Sequence, residues 1–542
     1  RRGYRSSLDG QLHPYALYVP PGWMENGETR FPLLVVLHGL NGHPVRAISA
    51  VFGHPMGEDE SGEHRARHPG APGKAGMFVL APDGFGNAGY HGAGEQDVLD
   101  VIDVVKHRYR IDDDRMYITG ASMGGTGAAR IALHHPDRFA AVAALCGYHN
   151  VRHFSAIKGR ALHPFEETLV AARSVVDQAG NGRHVPLYAV HGTKDFPLHS
   201  RNLVEQYLLR GFDARLETPV AGHNVWDDTW KGGRIFAHFA KYRRPAAPRR
   251  LELVTADLRF NGNHWLQIDA LQRYDAGARL VAHWREDGEV DIRTENAAAF
   301  SLRRQAACPE PAPVAVMLDG VRIPLSAGDA EGWHLIRDDG GWREGVLSRN
   351  GLHKRSGLSG PVADAEHGPL LFVYGTGDEN WALTREVAQR LRRRHGGMTI
   401  EWPMRADVEI TGEEIRTHSL VLVGTPGSNR LLDRLADRLP VRVESGGIRV
   451  GDRFHAGNTL AAVFIHPHPL APGRYVVVHT AVTQEALAGA VDLPELLPDY
   501  VVYDTAGGHP ERGMVFSVEG QVVDAGFFDG NWEVTYPSLL LR

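Results

Sequence analysis

Between residues 14 and 240, short and uninterrupted apolar runs alternate with amphipathic stretches, and nothing else in the 542-residue chain restricts the fold as strongly. FPLLVVLHG (31–39), AGMFVLAPD (75–83), RMYITGAS (115–122), FAAVAALCG (139–147) and VPLYAVHGTKD (185–195) read as buried strands. Between two of them, EQDVLDVIDVVKHRY (95–109) sets Val98, Ile102, Val105 and Tyr109 on one helical face. A strand that is apolar throughout has no side to turn to water. It belongs in a parallel sheet covered by helices on both faces, with the active site at the carboxyl ends of the strands.

One strand end carries chemistry. In DRMYITGASMGGTGAARIALHHPDRF, an apolar strand runs into Gly120, Ser122 falls at the turn, and a small-residue helix leaves through Gly124, Gly125 and Gly127. With 62 glycines in the chain, GxSxG alone is weak, and only the strand–turn–helix context gives it meaning. A sharp turn of this kind needs glycine beside the serine because side chains there would meet adjoining backbone. It lifts the hydroxyl clear of the sheet and aims the helix N-terminus, with the Met123 amide, at an incoming carbonyl oxygen.

A serine hydroxyl attacks poorly until a base takes its proton. Of 30 histidines, position and order select His223 in VAGHNVW, and HGTKDFPLHS supplies Asp195 just past a strand. Alone, His223 reads as a surface or structural histidine and Asp195 as a helix cap; together with Ser122 they form a triad in the order Ser, Asp, His. In VVLHGLNGH, the Leu40 amide follows a strand end and is the second oxyanion donor, while His38 is read as a structural hydrogen-bonding residue. Tyr90 and His91, in the glycine-rich loop 83–97, are candidates for lining the acyl pocket, and residues 148–184 for a cap over the site.

Composition excludes other classes. Charged residues are 23% and apolar residues 43%, with no apolar run of membrane-spanning length. The net charge of −6 comes from interspersed acids and bases, so nucleic acid is not an expected partner. Two cysteines, Cys146 and Cys308, exclude a disulfide framework. The opening RRGYRSSLDG has no initiator methionine, so a removed signal peptide or tag stays open, and either a cytoplasmic or a secreted soluble protein is expected. IHPHPL (465–470) lacks nearby cysteine or carboxylate ligands; neither a metal nor a cofactor is expected.

Three domains are expected. KYRRPAAPRR (241–250) breaks the pattern, giving an α/β catalytic domain over 1–247 with a doubly wound, mostly parallel sheet. A β-rich domain follows over 248–366, with an Asp-Gly hairpin turn in VAVMLDGVRIPL. A smaller α/β domain occupies 367–542, where two strand–Gly-Thr–Asn–helix units echo each other. These turns read as anion cradles at helix N-termini or, preferably, as plain turns capped by Asp378 or Ser428.

Residues from about 14 to 240 resemble the α/β-hydrolase superfamily. Within it, YALYVPPGW, PLLVVLHG, GEQDVLDVIDVV, DRMYITGASMGG, HPDRFAAVAALCG, HGTKDFPLHS and GHNVW match in order the prolyl-oligopeptidase-like branch that includes polyhydroxybutyrate depolymerase-like and feruloyl esterase-like enzymes. The resemblance implies a metal-independent serine hydrolase with Ser122, Asp195 and His223 as its triad and the Leu40 and Met123 amides as its oxyanion hole. Carboxylic esters lead as substrate and peptides follow; a non-catalytic binding protein on this scaffold is the rival from another class. True prolyl oligopeptidases carry a propeller before the catalytic domain, whereas in this sequence the catalytic pattern comes first, so gating by a propeller is not implied. The last 300 residues lie outside the resemblance and are expected to serve packing, substrate access or self-association.

Overall fold

The structure is a computed structural model that describes residues 2–540 except 26, 54–75, 232, 305–307, 349–350, 394–397, 491–492, 507–512, 517–520 and 536–539. Its first sheet has eight strands: β1 (Arg2–Arg5), β2 (Leu12–Tyr18), β3 (Phe31–Leu37), β4 (Phe78–Pro82), β5 (Ile111–Ala121), β6 (Ala141–Leu145), β7 (Leu187–Val190) and β8 (Ala214–Glu217). They lie in the order β1-β2-β4-β3-β5-β6-β7-β8. β2 runs antiparallel to β1 and β4, and every pairing from β4 to β8 is parallel. The apolar strands are explained by what they touch. Leu33, Val35 and Leu37 of β3 pack with Val98, Ile102 and Val105 of the helix Ala93–Arg108, while Leu34 and Val36 pack on the other face with Ile48, Phe236 and Phe239. Lys106, His107 and Arg108 in that helix's last turn complement its dipole.

Two five-stranded sheets follow between Arg250 and Glu344, packed around Trp265, Trp284, Trp333 and Phe300. The Asp-Gly turn joins Ala315–Leu318 to Val321–Pro324, with Asp319 and Gly320 at φ 50° and 89°, the left-handed pair that a tight hairpin requires. Beyond residue 370 a seven-stranded mixed sheet and a three-stranded sheet complete the fold. In the second echoing unit the cap is Asn429 rather than Ser428. Its side chain accepts from the Leu431 and Leu432 amides, both at 3.1 Å, and the Ser428 hydroxyl instead closes a local turn onto the Thr425 carbonyl. In the first unit, Asp378 accepts from the Asn380 amide one position before the helix Trp381–Arg392.

The N- and C-terminal regions share one apolar core. Leu8, Phe85, Val151, Phe165, Leu169 and Val170 pack in the same cluster as the strands after residue 370.

Candidate active site

β5 ends at Ala121, and Ser122 takes φ 58° and ψ −119°, a conformation that side chains rarely adopt. The helix Met123–His134 starts at the next residue. Glycine is required around it. A Cβ on Gly120 would stand 2.3 Å from the Gly124 carbonyl oxygen, and one on Gly124 would stand 2.3 Å from that of Leu37. The strain is stored where a reacting hydroxyl would use it.

His223 Nε2 lies 2.8 Å from Ser122 Oγ, and His223 Nδ1 lies 2.7 Å from Asp195 Oδ2. A carboxylate only accepts, so Nδ1–H donates to Asp195 and Nε2 is left to accept from the serine hydroxyl. The three residues come from the ends of β5, β7 and β8, as the strand-end rule requires.

His191, which the sequence reading passed over, stands on the same carboxylate oxygen: its Nε2 is 3.0 Å from Asp195 Oδ2 and its Nδ1 2.8 Å from Ser200 Oγ. Burial, partly offset by Asp195, holds His191 below the ordinary histidine range and hence neutral. Nε2–H therefore donates to Asp195, and Nδ1 accepts from the Ser200 hydroxyl. Burial by itself would raise the Asp195 carboxyl, but its bonds and charge interactions with His223 and His191 outweigh that and hold it below the usual range. The signal available in the sequence was the HGTKD string, which sets His191 four residues before Asp195.

Gly39 lies against Ser122: a Cβ there would be 3.3 Å from the Ala121 oxygen and 3.5 Å from Ser122 Cβ. Leu40, next to it, is 63% exposed. His38 has its ring nitrogens 2.8 Å from the Gly39 and Asp83 carbonyl oxygens, a structural arrangement. Tyr90 and His91 have their partners outside the line from Ser122 to His223 and Asp195. Tyr90 is fully buried, packs against Gly127 and donates its hydroxyl to the His38 oxygen at 3.1 Å. His91 lines a cavity shared with Arg130, Arg173 and Glu495. The loop's glycines signalled a turn, and a turn packed under the sheet looks the same in sequence as one facing substrate.

Tyr148 and Phe154 form a wall near the triad, the Tyr148 ring lying 5.9 Å from that of His223 and 6.3 Å from that of Phe154. The rings at the start of the 148–184 segment thus stand beside His223. The helix Pro164–Arg173 instead turns Phe165, Leu169 and Val170 into the core shared with the C-terminal region.

Among the described residues, Cys146, Asp195 and His223 form the one group with metal-like spacing, their ligand atoms within 4.8 Å of one another. Asp195 and His223 are engaged with each other, and burial pushes the Cys146 thiol up to about 12, so it keeps its proton and donates to the His223 carbonyl. That chemistry suits a hydrogen-bonded triad rather than a cation.

Residues 7–241 match the model of the family described as "Putative esterase". "Putative esterase NocK" of Nocardia uniformis subsp. tsuyamanensis is 31% identical over 153 residues, covering 26% of this chain and 39% of that protein. An "Uncharacterized secreted protein" of Arthroderma benhamiae is 23% identical over 465 residues, 79% of this chain and 48% of that one. The chain thus spans less than half the length of these curated relatives. A solved ferulic acid esterase is similar at 19% identity over 44% of this chain and 96% of its own, with a TM-score of 0.35. Over residues 7–241 the chain is thus similar to esterases. No helix among the described residues is long and apolar enough to cross a membrane.

Proposed function

We propose that the protein hydrolyses carboxylic esters through a Ser122 acyl-enzyme, with His223 as the base that takes and returns the proton and Asp195 as the group that fixes the imidazole tautomer. The observation that carries this reading is the unbroken hydrogen-bonded line from Ser122 Oγ to His223 to Asp195, at 2.8 and 2.7 Å. In the acylation step the Oγ–carbonyl bond forms as the proton moves to Nε2; the tetrahedral oxyanion is held by the Leu40 and Met123 amides, and collapse returns the proton to the leaving alcohol. Water repeats the sequence on the acyl-enzyme.

Esters are favoured over peptides by chemistry, since an alkoxide needs less protonation from His223 than an amine does. The same site should cleave p-nitrophenyl esters at least about 100-fold faster than matching p-nitroanilides, a barrier difference of roughly 2.7 kcal/mol. Parallel kcat/KM measurements test this, and preference for the anilides moves the protein to the peptidase reading. A fluorophosphonate probe should label the wild type and leave Ser122→Ala unlabelled, with kcat lower by a factor on the order of 10⁶. Near-normal turnover by Ser122→Ala removes Ser122 from the mechanism. As to architecture, we propose a catalytic unit to about residue 247, a β-rich unit to 366 and a C-terminal α/β unit, the latter two without a second active centre.

A further inference from the structure

The loop holding Leu40 is not secured by its own strand alone. Asn41 donates its amide to Asn87 Oδ1 at 2.8 Å and receives the Asn87 side-chain amide on its own Oδ1 at 2.8 Å. The Tyr90 hydroxyl donates to the His38 oxygen, and the His38 ring sits on the Asp83 oxygen. The loop after β3 therefore takes its shape from the loop after β4. That supporting loop is itself strained: Phe85 and Tyr90 have φ of 51° and 54°, as Asn41 does at 58°. Left-handed backbone in bulky residues is strained and persists only where the surroundings over-determine it.

Part of that surrounding structure comes from more than 300 residues away in sequence. Met398 forms an antiparallel bridge with Gly86. The Thr399 amide donates to the Phe85 carbonyl at 3.2 Å, and the Thr399 hydroxyl donates to Asp83 Oδ2 at 2.9 Å. The Glu401 amide donates to Asp9 Oδ2 at 3.2 Å. From the catalytic side, the Asp97 carboxyl group accepts the Gly84 amide at 2.7 Å. The 83–86 turn is thus gripped from both sides, with Thr399 bonded to both the strained Phe85 and the residue whose carbonyl carries His38.

We infer that residues 398–401 of the C-terminal region brace the oxyanion loop, with Thr399 as the positioning residue. This rests on the reading of the Leu40 amide as an oxyanion donor. Thr399 touches no reacting atom. It acts through Asp83 and Phe85 on His38 and Gly39, and so on the direction in which the Leu40 N–H points. Oxyanion stabilisation depends steeply on donor position, so slackening the brace costs transition-state binding while leaving ground-state binding nearly unchanged.

The test uses the full chain. Thr399→Val keeps the side-chain shape and removes the hydroxyl donor. It should lower kcat on a p-nitrophenyl ester roughly 10-fold with KM within about twofold, and should weaken inhibition by a trifluoromethyl ketone by a similar factor. Thr399→Ser should restore both. Fluorophosphonate should still label Ser122 to completion, so a failure of the hydrolase reading, seen as no labelling of wild type, is separable from a failure of the brace. Wild-type kcat and ketone affinity in Thr399→Val overturn the inference. So does a loss that Thr399→Ser fails to repair, because an unspecific loss of stability would then account for it.

Discussion

At the residue scale, His191 decides how firmly Asp195 is held. It donates to the oxygen that also accepts from His223, so replacing it with leucine leaves that carboxylate oxygen with one donor and the Ser200 hydroxyl without its acceptor. Losing a hydrogen bond to a charged group costs about 1.5–3 kcal/mol, and if half or more of that is felt in the transition state, kcat falls on the order of 10-fold. Rescue distinguishes a positioning role from a packing one. His191→Gln, which keeps a side-chain N–H donor for Asp195, should recover much of the kcat that leucine loses. An equal loss in both variants assigns His191 to packing alone. Ser122, Asp195 and His223 were legible in the sequence because chemistry fixes their types, order and strand-end positions. His191 was marked only by its place four residues before Asp195 in HGTKD, a spacing that means contact only once the turn at Gly192 brings the two together.

At the scale of elements, the nucleophile turn is built by exclusion. Gly124→Ala would press a methyl against the Leu37 and His38 carbonyls at 2.3 and 2.7 Å, and backbone there cannot yield as a flexible side chain would. Expected is a loss of about 3 kcal/mol or more with no fluorophosphonate labelling, whereas Gly473→Ala, whose Cβ meets nothing within 4 Å, should keep stability and labelling. Denaturant curves on both variants check this, and a stable, labelled Gly124→Ala contradicts the packing argument. The helix Ala93–Arg108 carries a second test. Burial raises the Asp97 carboxyl to about 7, against hydrogen bonds from the Tyr4 hydroxyl and the Gly84 amide that favour its charged form. A folded-state value above the unfolded one means the native protein binds the extra proton, so this group's contribution to stability falls as pH rises from about 4 to 7. Asp257, also raised to about 7 by burial and by Asp364, acts with the same sign. Asp97→Asn should flatten part of that slope in unfolding free energies measured across the window, and an unaltered slope rules Asp97 out as its source. The helix and its apolar face were readable in advance. The burial of its acidic residues was not, since Asp97 looks like any solvent-facing carboxylate until Tyr4 and Gly84 close over it.

At the scale of the molecule, the strand and helix pattern announced the first sheet and the hairpin turn announced the β-rich part, but no pattern in sequence tells that loops and a helix of the catalytic side pack into the core of a sheet hundreds of residues away. Leu8, Phe85, Val151, Ile157, Phe165, Leu169 and Val170 of the catalytic side pack with Leu371, Leu422, Tyr503 and Phe527 beyond residue 370. Phe165 and Val170 have no exposure at all in the whole chain. Ending the chain near residue 247 strips that cover and removes the brace at Thr399. Each large apolar side chain returned to water costs about 1.5–3 kcal/mol, so uncovering even three or four of them consumes most of the 5–15 kcal/mol by which a domain is usually stable. The fragment ending at 247 should therefore be recovered mainly as aggregate, or with a Tm lower by tens of degrees, and its soluble part should bind a hydrophobic dye and label more slowly than the full chain. Adding the separately expressed 248–542 segment during refolding should recover part of both labelling and Tm, because the shared core re-forms by association. A fragment as stable and as active as the whole chain would show that the C-terminal 295 or so residues are a passenger and not part of the enzyme's core.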